Sequence, residues 1–129
     1  MLHTRVLLDT HALLWWAANT KALSRKVRRL IEDERTRVFV SAASGWEIAT
    51  KVRLGTLKWT GPESVESYCI GQGFKLLPVT LAHAERAGSW PQEHGDPFDR
   101  MLAAQGDREQ MPIATSDPNI ARFEVETIW

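Results

Sequence analysis
The stretch RVLLDTHALLWWA, residues 5–17, decides how the chain is read. Val6, Leu7 and Leu8 form an unbroken apolar run with no polar alternation, which marks a strand covered on both faces and not one with a wet side. Asp9 ends the run. Asp9 or Thr10 then caps a helix whose Ala12, Leu13, Leu14, Trp15, Trp16 and Ala17 are strongly apolar, with Asn19 as its stop. A buried strand, a carboxylate at its C-terminal end and a helix follow one another directly. In open parallel α/β sheets ligands bind outside the carboxyl ends of the strands, so Asp9 stands where such sheets do their chemistry.

The rest of the chain repeats this pattern. Ser24 caps a helix over 24–34, with Val27, Leu30 and Ile31 on one stripe and Arg25, Lys26, Arg28 and Arg29 on the other face. VFV, 38–40, is a second apolar strand, and SAASGWEIATKVRLG, 41–55, a helix closed by Gly55. After a loop over 56–61, Pro62 opens a helix to Ile70 that Gly71 and Gly73 end. FKLLPV, 74–79, is a third strand, Thr80 starts a helix through Ala87, and WPQEHGDP, 90–97, is an irregular connection. PFDRMLAAQGDRE, 97–109, is a further helix and PIAT, 112–115, a fourth strand. Residues 116–119 turn into a brief helix, and FEVETIW, 123–129, alternates as a sheet-edge strand does. This order predicts a doubly wound α/β sandwich.

Composition narrows the class. The 129 residues suit one domain, 1–129, without internal repeats or linkers. Sixteen basic and 16 acidic residues leave no overall field, so a nucleic-acid partner must be held by local patches. Cys69 is the lone cysteine, which excludes an internal disulfide and fits a reducing cytosol. No apolar run reaches membrane-spanning length, and the one near the start is too short for a signal peptide, so the expected location is cytoplasmic, with no membrane partner.

The carboxylates now have places. Asp9 follows the first strand, Glu47 lies in the first half of the helix after the second, Asp96 and Asp99 bracket the start of a later helix, and Asp117 follows the fourth strand. In a parallel sheet all of these open onto one edge. Carboxylates about 4 Å apart repel by roughly 4 kcal/mol per pair at an effective dielectric of about 20, so such a cluster calls for a cation. Hard oxygen ligands without clustered Cys or His favour Mg²⁺ or Mn²⁺.

Each acid also has a structural use. Asp9 suits a helix cap, as do Asp96 before Pro97 and Asp117 before Pro118. Glu47 stands three residues after Ser44, a capping-box spacing, and four before Lys51, an ion-pair spacing. Asp99 at the third helical position is favoured by the helix dipole. Trp15, Trp16, Trp46, Trp59, Trp90 and Trp129 are mostly core material, with one or two left to line a partner groove. His3, His11, His83 and His94 show no zinc-ligand spacing. The basic face of residues 25–29 is either solvated or grips RNA phosphate or an acidic partner.

The runs VLLDTHALLWW, SAASGWEIATKVRLG, HGDPFDRMLAAQ and IATSDPNI, in this order and at these separations, resemble the signature blocks of PIN-domain ribonucleases, specifically the VapC-like toxins of toxin–antitoxin pairs. The resemblance runs nearly end to end. It implies a three-layer sandwich whose parallel sheet has the order 3-2-1-4-5, placing Asp9 beside Asp117. It implies a metal-dependent endoribonuclease whose acidic quartet is Asp9, Glu47, Asp99 and Asp117, with Asp96 as an additional acid. Asp9 and Asp99 would then be the principal ligands of Mg²⁺, or of Mn²⁺, with Glu47 and Asp117 completing the shell. Thr10 and Ser116 would supply supporting hydroxyls, and Arg100 would bind substrate phosphate or pair with an acid. A cognate small antitoxin and a homodimer are also implied. Two other readings stay open at this point: a catalytically silent PIN-like module that binds RNA or protein, and a receiver-like phosphoacceptor domain, which shares the doubly wound sheet and an Asp cluster.

Overall fold
β1 (Thr4–Leu8) lies at the centre of a parallel sheet, and Val6, Leu7 and Leu8 are each 0% exposed. The computed structural model describes residues 4–61 and 63–129. In chain order β1 is followed by α1 (Thr10–Ala17), α2 (Arg25–Glu32), β2 (Thr36–Ser41), α3 (Ala42–Arg53), α4 (Val65–Gly71) and β3 (Lys75–Leu77). Then come α5 (Leu81–Ser89), α6 (Pro97–Glu109), β4 (Ile113–Ala114), α7 (Pro118–Ala121) and β5 (Thr127–Ile128). Among the described residues the strands form one sheet, β3-β2-β1-β4-β5, with every neighbouring pair parallel. That is the expected order. Receiver-type sheets run 2-1-3-4-5, so the phosphoacceptor reading falls on topology.

The unbroken apolar runs are explained by packing on both faces. Val6, Leu8, Val38, Val40 and Ala114 point to one side, where they meet Ala12, Leu13, Val27, Ile48 and Cys69. Leu7 and Ile113 point to the other, against Leu102, Ala103, Ala104, Ile120 and Phe123. Each fully buried aliphatic side chain contributes about 1.5–3 kcal/mol, so this three-layer sandwich is held by two cores sharing one sheet. No helix among the described residues is long and apolar enough to cross a membrane.

Caps set the helix starts. Asp9, Ser24, Ser41, Ser64, Thr80, Asp96 and Asp117 each accept a backbone N–H from the first turn that follows. Ser41 ends β2 and caps α3 with no loop between them, which keeps the first turns of α3 beside the sheet edge. At the far end of α3, Gly55 takes φ +77°, its N–H donates to Val52 O and that of Thr56 to Lys51 O, closing the helix as expected. Asn19 ends α1 in the same left-handed region, at φ 53°.

Several boundaries differ from the sequence reading. The helix expected to open at Pro62 is described only from its Ser64 cap onward, and Pro62 and His3 lie outside the described residues. The third strand is three residues long, since Pro78 has no N–H to continue the ladder. The last strand is confined to Thr127–Ile128: Glu124 adopts φ 60°, and Phe123 turns into the core, 1% exposed. The tryptophans are less central than expected. Trp90 is buried, Trp46 is 65% exposed, and Trp15, Trp16, Trp59 and Trp129 are half-buried against the first core.

Candidate active site
Asp9 leaves the carboxyl end of the central strand, its N–H donating to Ala114 O of β4 at 3.1 Å. Its carboxylate is 5% exposed and accepts the Ala12 N–H at 2.7 Å. The cap is therefore real, but it uses one oxygen. Burial raises the proton affinity of Asp9 above the ordinary value of 3.8, and the charge of Asp99 adds to the rise. Thr115, the Ala12 N–H and His11 pull the other way.

Asp99 is the hub of the acidic edge. It sits in the first turn of α6, which Asp96 caps by accepting the Phe98 and Asp99 N–H groups at 2.9 and 3.1 Å, with Pro97 at the first helical position. Burial raises Asp99 above 3.8 as well; His94 lowers it, and the charges of Asp96 and Asp117 raise it. Asp117 arrives from β4 and caps α7 through the Asn119 N–H at 2.9 Å. Asp99 thus acts on Asp9 and is acted on by Asp96 and Asp117, although 108 positions separate Asp9 from Asp117.

Glu47 occupies the second turn of α3 and is 4% exposed. Its Oε1 lies 2.6 Å from Thr10 Oγ1, and its Oε2 2.6 Å from Lys51 Nζ. Thr10 Oγ1 also lies 3.0 Å from Ser44 Oγ. One hydroxyl proton cannot serve both contacts, so Thr10 donates to the carboxylate and Ser44 turns its own proton to Thr10. The capping-box alternative for Glu47 does not hold, because the cap of α3 is Ser41 and not Ser44. The ion-pair alternative does.

Two expected supporting residues are used otherwise. Ser116 is exposed, and the hydroxyl that serves the acids is its neighbour Thr115, 4% exposed, which stabilises the ionised Asp9 and accepts the Asp117 N–H at 3.0 Å. Among the described residues Arg100 forms no ion pair with an acid. It donates to the carbonyls of Ala87, Trp90, Gln92 and His94 at 2.6–2.9 Å, with its guanidinium 5.4 Å over the Phe123 ring. The effect is to fix the irregular 90–96 segment, and that segment presents His94, whose Nε2 lies 2.8 Å from Asp99 Oδ2. Thr115 and His94 were missed in the sequence; a hydroxyl two residues before a capping Asp was the available sign for the first.

The donor set suits a hard divalent ion: carboxylate oxygens, with the charge of Asp99 raising Asp9 and the charges of Asp96 and Asp117 raising Asp99. Among the described residues no three His, Cys, Asp or Glu side chains stand as a ready-made ligand shell.

A pH dependence follows. Folding raises the proton affinity of Asp9 and Asp99, so the native chain binds more protons than the unfolded one just above pH 3.8, and the stability these groups contribute falls as pH rises through that window. Asp99→Asn keeps the shape and removes one charge. It is expected to melt above the wild type at about pH 7, with the gap closing toward about pH 4, and a gap that ignores pH would contradict this.

A family model described as "PIN domain" matches residues 6–126. The chain is 28% identical over 117 residues, 88% of its own length and 88% of the other's, to Ribonuclease VapC22 of Mycobacterium tuberculosis (strain ATCC 25618 / H37Rv). Among solved structures it is similar to a chain of VapBC2 from Rickettsia felis bound to a DNA fragment from their promoter, with TM-score 0.65, 9% identity and 97% and 98% of the two chains covered. It is similar also to a chain of VapBC-1 from nontypeable Haemophilus influenzae, with TM-score 0.66, 14% identity and 97% of each chain covered. A chain of FitAcB from Neisseria gonorrhoeae gives TM-score 0.60 at 21% identity, covering 96% of each. At these identities the solved structures speak for the fold.

Proposed function
Since the chain belongs to the PIN domain family, we propose that residues 1–129 form one nuclease domain that hydrolyses RNA phosphodiester bonds at its acidic edge with Mg²⁺ or Mn²⁺. The observation that carries this reading is the convergence of Asp9, Asp96 and Asp117 on Asp99 at the carboxyl edge of the sheet. The relative named a ribonuclease supports the substrate class.

Asp9 and Asp99 would be the principal ligands, with Glu47 and Asp117 completing the shell directly or through water. A divalent ion held there would supply water activation and charge neutralisation for phosphodiester hydrolysis. The chain's own side chains do the positioning. Asp9 is held by the Ala12 N–H and Thr115. Thr10, itself bonded to Ser44, holds Glu47, and His94 donates its Nε2 proton to Asp99, so these two acids are oriented by neighbouring side chains. Burial of Asp9 and Glu47 keeps bulk water from screening their charge.

The metal reading has a direct test. Four mutually repelling carboxylates should be relieved by a cation, so millimolar Mg²⁺ or Mn²⁺ is expected to raise the melting midpoint, whereas scattered helix caps would respond little. Calorimetry that detects no divalent binding would count against the site.

We further propose a cytoplasmic toxin held by a cognate small antitoxin, and a homodimer in solution. Supporting this, the solved relatives come from VapBC and FitAcB assemblies. An apolar groove of about 310 Å³, bordered by Val40, Gly45, Val65, Cys69 and Leu76, is of a kind that takes the apolar face of a partner helix. Co-expression with the product of the adjacent small gene is expected to yield a complex with RNA cleavage suppressed. A monomer in light scattering whose activity that partner leaves unchanged would contradict it.

A further inference from the structure
Lys51 follows Glu47 by one helical turn, and the pair is lopsided: the Glu47 side chain is 6% exposed and that of Lys51 40%. On an open helix face a Glu–Lys pair at this spacing is a weak contact between two solvated groups. Here the carboxylate is buried, and its other oxygen is already taken by Thr10 at 2.6 Å. Lys51 Nζ, 2.6 Å from Oε2, covers the oxygen that remains. The ammonium also feels Asp96 and Asp99, which belong to α6. A single lysine from α3 therefore stands among acids of two helices, while its partly exposed stem leaves it free to move outward.

From this geometry we propose that Lys51 is an internal counter-cation of the acidic edge, a positioning residue that holds Glu47 and competes with a divalent ion for it. The proposal rests on the acids being a divalent-ion site. Glu47 cannot give Oε2 to an ion while the ammonium covers it, and a dication approaching Asp99 is repelled by the same charge. Loading the site requires the ammonium to swing out. Lys51 thereby weakens metal binding while stabilising the buried carboxylate. A lysine that merely supported α3 would alter folding stability and leave metal affinity untouched.

The experiment is calorimetric titration of Mn²⁺ into the full chain as wild type, Lys51→Met, Lys51→Gln and Lys51→Arg, with melting midpoints recorded with and without Mn²⁺. Lys51→Met is expected to bind Mn²⁺ about tenfold tighter than wild type. Its midpoint without Mn²⁺ falls, because Glu47 is left buried and unpaired, and its Mn²⁺-induced rise exceeds that of the wild type. Lys51→Arg keeps the charge and is expected to bind within about twofold of wild type. If Lys51→Met does not fold, Lys51→Gln carries the test, with tighter binding again expected. If Mn²⁺ binds the wild type and no folded neutral variant binds it tighter, the role of Lys51 is overturned and the acidic site stands. Absence of Mn²⁺ binding in wild type and variants alike overturns both.

Discussion
Asp99→Asn and Asp9→Asn are each expected to lower RNA cleavage by about a hundredfold or more while leaving the melting midpoint at or above that of the wild type. On the proposed reading the two effects run in opposite directions. Both carboxyls are held above their ordinary proton affinity by burial and by other acids, so the ionised form is the strained one. Asn retains the size and the accepting oxygen, so the Asp9 contact with the Ala12 N–H survives. What is lost is the charge that would hold a divalent ion. Asp96→Asn serves as the comparison: Asp96 caps α6 through two N–H groups, Asn caps nearly as well, and the loss of cleavage should be smaller. If Asp99 were only a residue favoured by the helix dipole, the change would cost about 0.3–1 kcal/mol and leave cleavage intact. An Asp99→Asn protein with near wild-type cleavage and a lowered midpoint would overturn the assignment.

Phe123→Ala is expected to cost about 3–5 kcal/mol, a large part of the roughly 5–15 kcal/mol that holds a domain of this size. The ring is 1% exposed and stands 5.0 Å from Trp90 and 6.1 Å from His94, with the Arg100 guanidinium over it. It is thus a wall of the second core and the support of the segment that brings His94 to Asp99. The melting midpoint should fall by about 10–20 °C. Phe123→Leu, which keeps much of the volume, should remain folded and serve for activity, with cleavage reduced through a looser His94. Thermal melts of both variants check this, and an unchanged midpoint for Phe123→Ala would show that the ring is not the support described.

The fold was readable because the signals were redundant. Val6–Leu8 and Val38–Val40 are apolar on both faces, and Asp9, Ser24, Thr80, Asp96 and Asp117 stand at the caps their chemistry suggests. The last strand was misread for a local reason: 123–129 alternates in sequence, but a positive φ at Glu124 breaks the pleat and frees Phe123 to enter the core. Around the site, Asp9, Asp96, Asp99 and Asp117 could be placed because each sits at a strand end or a helix start. The groups behind them could not. His94 lies in a segment without periodicity, and three of the four carbonyls that Arg100 binds belong to that same segment, which no side-chain pattern announces. The supporting hydroxyl was missed by one position, because the short β4 turns Thr115 inward and leaves Ser116 in solvent.

The most direct measurement is cleavage of an end-labelled RNA pool by the purified wild type in Mg²⁺ or Mn²⁺ and again in excess chelator, with the new RNA ends mapped by sequencing. The expected result is a set of internal cuts that appear with the divalent ion and vanish with the chelator. Cuts that persist undiminished in chelator, or a folded protein that cuts no RNA under either condition, would contradict the assignment of the acidic edge as a divalent-ion nuclease site.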